Sequence, residues 1–175
     1  MSSPAPPEFT ILIDVARSAI ESHFNLPTSQ GIELPEALVE SRGVFVTLLE
    51  STGELRGCIG HILPIMPTLR EELEACAVAA ATRDPRFAPV QPEEMASLKI
   101  EVSLLEVPEP IATQDLLNPR EFGVIVRCGS KVGLLLPDLD GVDTVEYQLS
   151  IAMRKGRIAP SEDYSLERFR VLKIR

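Results

Sequence analysis

The chain has no tryptophan, two tyrosines, two histidines and three cysteines among its 175 residues, and each scarcity closes off a class of function. With so few large aromatic rings there is little platform for stacking bases or sugars. Cys58, Cys76 and Cys128 are an odd number at irregular spacing, which is no disulfide framework and points to a reducing compartment. No apolar run approaches the roughly 18 residues needed to span a bilayer. The opening Met1-Ser2-Ser3-Pro4-Ala5-Pro6-Pro7-Glu8 lacks the basic start and apolar core of a signal peptide, so the expected location is the cytoplasm. Basic residues are also in deficit, 17 against 26 acidic, for a net charge of −9. Such a surface repels phosphate backbones and disfavours non-specific nucleic-acid binding.

Familiar cofactor signatures are absent as well. The sequence contains no GxGxxG, no P-loop, no HExxH and no nucleophile-elbow serine, so no nucleotide or other cofactor is expected. A zinc site would have to join Cys58-x-x-His61 to two isolated thiols, whereas structural zinc draws on paired short spacings, and no metal is expected. The loop Asp138-Leu139-Asp140-Gly141 has an acidic look. Setting Gly141 at position six of a calcium loop puts Leu136 at position one and Tyr147 at twelve, where carboxylates are required. The calcium reading fails, and a helix-capping loop is the better account.

What is present is ordinary globular composition, 45% hydrophobic and 25% charged, enough for one domain or two small interlocked ones. After a flexible lead-in over residues 1–7, helical spacing of Phe9, Leu12, Ile13, Ala16, Ile20 and Phe24 predicts a helix over 8–24. Residues 25–41 read as a connection. The β-branched run 43–49, the turn Ser51-Thr52-Gly53-Glu54 and Leu55–Ile59 predict a hairpin. Leu69, Leu73, Cys76 and Ala80 mark a helix over 68–82, with Cys76 in its apolar stripe. Alternation of Ile100, Val102 and Leu104 predicts a strand over 98–106. The three prolines of 107–120 predict irregular chain. A second hairpin, 123–128 with 132–136, precedes a helix with Asp143 as expected N-cap, Glu146 three residues on, and Gly156 as its stop. A final strand is expected over 166–174. Hairpins require antiparallel pairing, so the predicted class is α+β with mostly antiparallel sheets and packed helices.

Chemistry is concentrated in Leu55-Arg56-Gly57-Cys58-Ile59-Gly60. Strand alternation puts Arg56 and Cys58 on one face, about 7 Å apart. There the guanidinium favours a thiolate. Gly57 and Gly60 allow close approach by a ligand or by another stretch of backbone. Cys58 is the candidate nucleophile and His61 the candidate base, against the alternative of a cysteine packed at a tight strand. Asp84-Pro85-Arg86-Phe87 is the second cluster, where Arg86 either holds an anionic ligand or pairs with Asp84.

These segments, together with Arg42-Gly43-Val44-Phe45-Val46-Thr47-Leu48 and Gly133-Leu134-Leu135-Leu136-Pro137, resemble the AMMECR-type domain family over roughly residues 9–174. The resemblance implies one domain over 8–175, built of two interlocked subdomains flanking a cleft near the hexapeptide. It marks Arg42, Arg56, Gly57, Gly60, Asp84 and Arg86 as ligand-binding candidates beside Cys58, but does not extend to His61. It also implies partners, a Memo-type protein and a radical S-adenosylmethionine protein, with which such domains occur in bacteria and archaea. Two functional readings follow. In one the chain is a non-catalytic accessory component that binds a small ligand or a protein. In the other it is an enzyme using the Cys58 thiol, with RNA or other biomolecule modification as the suggested activity. Because no complete catalytic set can be assembled from the sequence, the accessory reading is the preferred expectation.

Overall fold

A computed structural model describes residues 6–29 and 31–175. Residues 1–5 of the lead-in, and Gln30 of the connection, lie outside the described residues. The described chain divides into two compact units, one formed by residues 6–105 with 172–175 and the other by 106–171. Both combine helices with antiparallel strands, so the class is α+β.

The first unit begins with a short 3-10 turn, Pro7–Thr10, which leads into helix α1 (Ile11–His23). Strand β1 (Val44–Leu49) pairs antiparallel with β2 (Leu55–His61), and Gly53 turns the chain between them at a φ of 94° that favours glycine. Helix α2 (Leu69–Thr82) follows, and then β3 (Lys99–Leu105) pairs on the other side of β1. Strand β8 (Val171–Ile174) completes the sheet in the order β2-β1-β3-β8. The sheet alternates as its sequence requires. Val44, Val46 and Leu48 of β1 are buried, as are Ile100, Val102 and Leu104 of β3, in one core with Leu12, Val15, Ala16 and Ile20 of α1 and Leu69, Leu73 and Ala77 of α2. The start of α2 is fixed by a capping box, in which Thr68 Oγ1 accepts from the Glu71 N–H and the Glu71 carboxylate accepts from the Thr68 N–H.

Gly57 explains how closely α2 lies on the hairpin. A Cβ at this position would stand 2.2 Å from the Ala80 carbonyl oxygen, so any side chain would push the helix off the sheet. Gly43 plays the same part for the backbone, where a Cβ would meet the Ile62 carbonyl oxygen at 2.1 Å.

The second unit holds β4 (Glu109–Ile111), β5 (Gly123–Cys128), β6 (Lys131–Leu135), helix α3 (Val145–Gly156) and β7 (Ser165–Phe169), with its sheet ordered β4-β7-β5-β6. Leu149, Ala152 and Met153 of α3 cover Val124, Val126 and Leu135. Gly133 of β6 takes the role that Gly57 has in the first unit, since its Cβ would lie 1.9 Å from the Ala152 carbonyl oxygen.

Four expectations are corrected here. Strand β4 forms within the stretch expected to be irregular, because Pro110 sits on an edge strand, where a missing N–H costs no ladder bond. The expected last strand is two strands broken at Arg170, one in each sheet. The N-cap of α3 is Thr144, whose hydroxyl accepts from the Tyr147 N–H; Asp143 instead pairs with Arg120, which also holds Asp138. Gly156 is the last helical residue, and the left-handed stop is Arg157 at φ 53°.

Candidate functional site

Strand β2 lies at the edge of its sheet, so among the described residues its outer main-chain groups face no neighbouring strand. The loop after α2 supplies the missing partners. The Cys58 N–H donates to Asp84 Oδ2 at 2.8 Å, and Arg86 Nη2 reaches the Cys58 carbonyl oxygen at 3.5 Å. Asp84 is itself held by the Arg86 backbone N–H (3.1 Å), Nε (2.9 Å) and Nη2 (2.6 Å). The Arg86 guanidinium, aided by the Cys58 and Arg86 N–H groups, holds the Asp84 carboxyl well below the usual carboxylate range against the opposing effect of burial. The Asp84 side chain is 2% exposed while that of Arg86 is 55% exposed, stacked toward Phe87 with 5.4 Å from its guanidinium carbon to the ring centre. Thus Asp84-Pro85-Arg86-Phe87 clamps the edge of the hexapeptide strand, and its ion pair is internal.

The expected grouping of Cys58, Asp84 and Arg86 is therefore present in space, but other expected partners are turned elsewhere. Arg56 does not serve the thiol. Its Nε and Nη2 form a bidentate pair with Glu94 at 2.8 and 3.1 Å, and Nη1 donates to the Ala88 carbonyl oxygen at 2.9 Å. The sulfur of Cys58, a half-buried residue, lies 3.3 Å from the Thr47 hydroxyl across the hairpin. Gly57 accommodates α2, and a Cβ on Gly60 would stand 2.4 Å from Cγ of Phe45, so both glycines are required by the chain's own atoms. Arg42 sits beyond the start of β1, near the end of β2, where Val44 pairs with His61, whereas Cys58 pairs with Thr47. Its guanidinium reaches the Ala37 carbonyl oxygen at 3.4 Å, and it does not join the Cys58 group.

His61 is the clearest correction among the site residues. Three residues along a strand reverse the side-chain direction, so His61 shares the helix-facing side with Gly57 and Ile59 while Cys58 takes the other. Its Nδ1 lies 2.6 Å from Glu72 Oε1 and 3.6 Å from the Cys76 sulfur, both on α2. It cannot act as base for Cys58 from there. Glu72 was not anticipated as a site residue. Its side chain has no exposure, and its second oxygen accepts from the Ile65 and Met66 N–H groups at 2.8 Å each. These bonds, with that to His61, lower the Glu72 carboxyl although burial is the largest single influence and opposes them. Burial and the neighbouring Glu72 push the Cys76 thiol up to about 12. A signal was available in the sequence, since Glu72 lies three residues after Leu69 and four before Cys76, an acid on an apolar stripe.

An α+β chain with a glycine-bearing Arg-Gly-Cys edge strand clamped by an Asp-Pro-Arg-Phe loop is a narrowly defined object. The chain belongs to the AMMECR1 family, whose model matches residues 13–174. A protein of Thermotoga maritima is 49% identical over 79% of this chain and 80% of its own length. The protein CA_C1420 of Clostridium acetobutylicum is 42% identical over 91% of this chain, which spans only 34% of that longer protein. Among solved structures, the uncharacterized protein PH0010 of Pyrococcus horikoshii superposes with a TM-score of 0.78 at 34% identity, over 97% of this chain and 92% of that one. No described helix is long and apolar enough to cross a membrane.

Proposed function

We propose that this chain is a non-catalytic accessory component, working in the cytoplasm beside Memo-type and radical S-adenosylmethionine proteins. It binds a partner protein or small ligand on the Cys58 face of the hexapeptide strand. The observation that carries this reading is the placement of the groups a thiol enzyme would need. His61 faces away from Cys58, Arg56 is bound to Glu94, and the Asp84 carboxylate is spent on the strand edge and Arg86. The hydroxyl of Thr47 beside the sulfur is no general base at neutral pH. The Clostridium relative supports the same view, because there the matched region is a third of a longer polypeptide. A net charge of −9 suits a protein partner better than a nucleic acid. Cys58 is half-buried rather than sealed in the core, which keeps thiol chemistry as the second reading.

The test uses the thiol as a reporter. At neutral pH a bulky maleimide is expected to modify Cys58 before Cys128, which burial and Glu162 shift upward, and before Cys76, which is fully buried. The Cys58 adduct should abolish co-elution with a purified Memo-type or radical S-adenosylmethionine partner, while folded Cys58→Ser retains both the complex and complementation of a deletion strain. Complex formation unaffected by the adduct refutes the docking face. Folded Cys58→Ser that keeps the complex and loses complementation establishes thiol chemistry instead.

A further inference from the structure

We infer that His61, Glu72 and Cys76 form a binding site for one divalent cation of borderline softness, zinc or its cobalt surrogate, on the helix-facing side of the hexapeptide strand. The site is independent of the Cys58 face. One ligand atom from each residue lies within 4.8 Å of the others, drawn from two elements whose mutual position is fixed by the Gly57–Ala80 contact. The sulfur is 3.6 Å from His61 Nδ1 and 3.8 Å from Glu72 Oε1. Bond lengths of about 2.0–2.3 Å at tetrahedral angles separate neighbouring ligand atoms by about 3.3–3.8 Å, so two of the three edges already have the required length. The third, 2.6 Å between Nδ1 and Oε1, is a hydrogen bond that opens when His61 gives up its proton to coordinate.

The surroundings are those of a held ligand set. Glu72 Oε2 is anchored by two backbone N–H groups from the loop between β2 and α2, which aims Oε1 at the other two ligands. Glu72 and Cys76 are fully buried, whereas the His61 side chain is 39% exposed, so the cluster meets solvent on the His61 side, from which a bound ion would draw its fourth ligand. Charge also balances. A thiolate and a carboxylate buried together repel each other, but with a divalent cation the cluster is neutral. Imidazole, thiolate and a single carboxylate oxygen select zinc or cobalt over magnesium or calcium.

The experiment titrates cobalt(II) into untagged, chelator-treated full-length protein and reads the near-ultraviolet thiolate-to-cobalt charge-transfer band, with bound zinc measured by elemental analysis after dialysis. One ion per chain is expected. Cys76→Ser should lose the band, and His61→Ala should weaken binding by about tenfold or more, while Cys58→Ser and Cys128→Ser keep both band and affinity. His61 is partly exposed, so its variant remains informative if Cys76→Ser does not fold. Absence of stoichiometric metal at micromolar concentrations, or a band that survives Cys76→Ser or vanishes with Cys58→Ser, overturns the assignment.

Discussion

The clamp on the edge of β2 can be tested by replacing Asp84 with asparagine. The carboxylate accepts four hydrogen bonds, one from Cys58 and three from Arg86. Asparagine keeps the size but offers a single acceptor oxygen, and its amide N–H groups must face donors. A hydrogen bond to a charged group contributes about 1.5–3 kcal/mol. The Arg86 share is discounted because that side chain is more than half exposed, leaving the bond to the Cys58 N–H as the main loss. The expected destabilisation is about 2–3 kcal/mol, a fall in Tm of roughly 4–12 °C for a chain of this size. Urea unfolding followed by circular dichroism measures it, and amide exchange at Cys58 localises it, since that N–H should lose its protection. The pH dependence supplies a sign. The folded-state Asp84 carboxyl is held well below its unfolded value near 4, so its contribution is complete above about pH 4 and is lost as pH falls further, through the folded value. The gap between wild type and Asp84→Asn should therefore narrow below about pH 4. A variant unfolding at the wild-type midpoint at pH 7, or a gap that stays constant into acid, would refute the clamp.

Gly57→Ala should cost about 1–3 kcal/mol in urea unfolding, because the new Cβ meets the backbone carbonyl of Ala80, which cannot swing aside as a side chain would; an unchanged midpoint would mean that α2 is free to shift. Thr144→Ala should cost about 1 kcal/mol through loss of the α3 cap, and Asp143→Ala clearly less because its pair with Arg120 is exposed. The reverse ranking would restore Asp143 as the cap.

Much of the fold was legible because apolar periodicity and burial coincide. The stripes of α1 and α2 and the alternation of β1 and β3 lie in the sequence as they lie in the core. What escaped depends on neighbours distant in sequence. Nothing local tells that Pro110 faces an open sheet edge or that Arg170 marks a change of sheet. The Cys58 strand and the Asp84 loop were found as separate segments, and the structure joins them. The Arg56–Glu94 pair spans 38 residues, a separation at which no spacing rule operates. The direction of His61 away from Cys58 is itself legible in the sequence, since an i, i+3 pair on a strand points to opposite faces by alternation alone.

Strand β8 has a consequence for biosynthesis. It belongs to the sheet of the first unit, yet it follows β3 only after the whole of residues 106–171. At roughly 5–20 residues per second, a ribosome takes on the order of 3–13 s to make that stretch. During this interval β1, β2 and β3 can already pair, while the far side of β3 remains a bare row of hydrogen-bonding groups open to any extended chain. Burial of Ile174, 1% exposed in the first core, closes that interval. A substitution that slows folding of the second unit therefore prolongs the vulnerability of the first, so its damage is felt as aggregation of a nascent chain whose own core residues are intact.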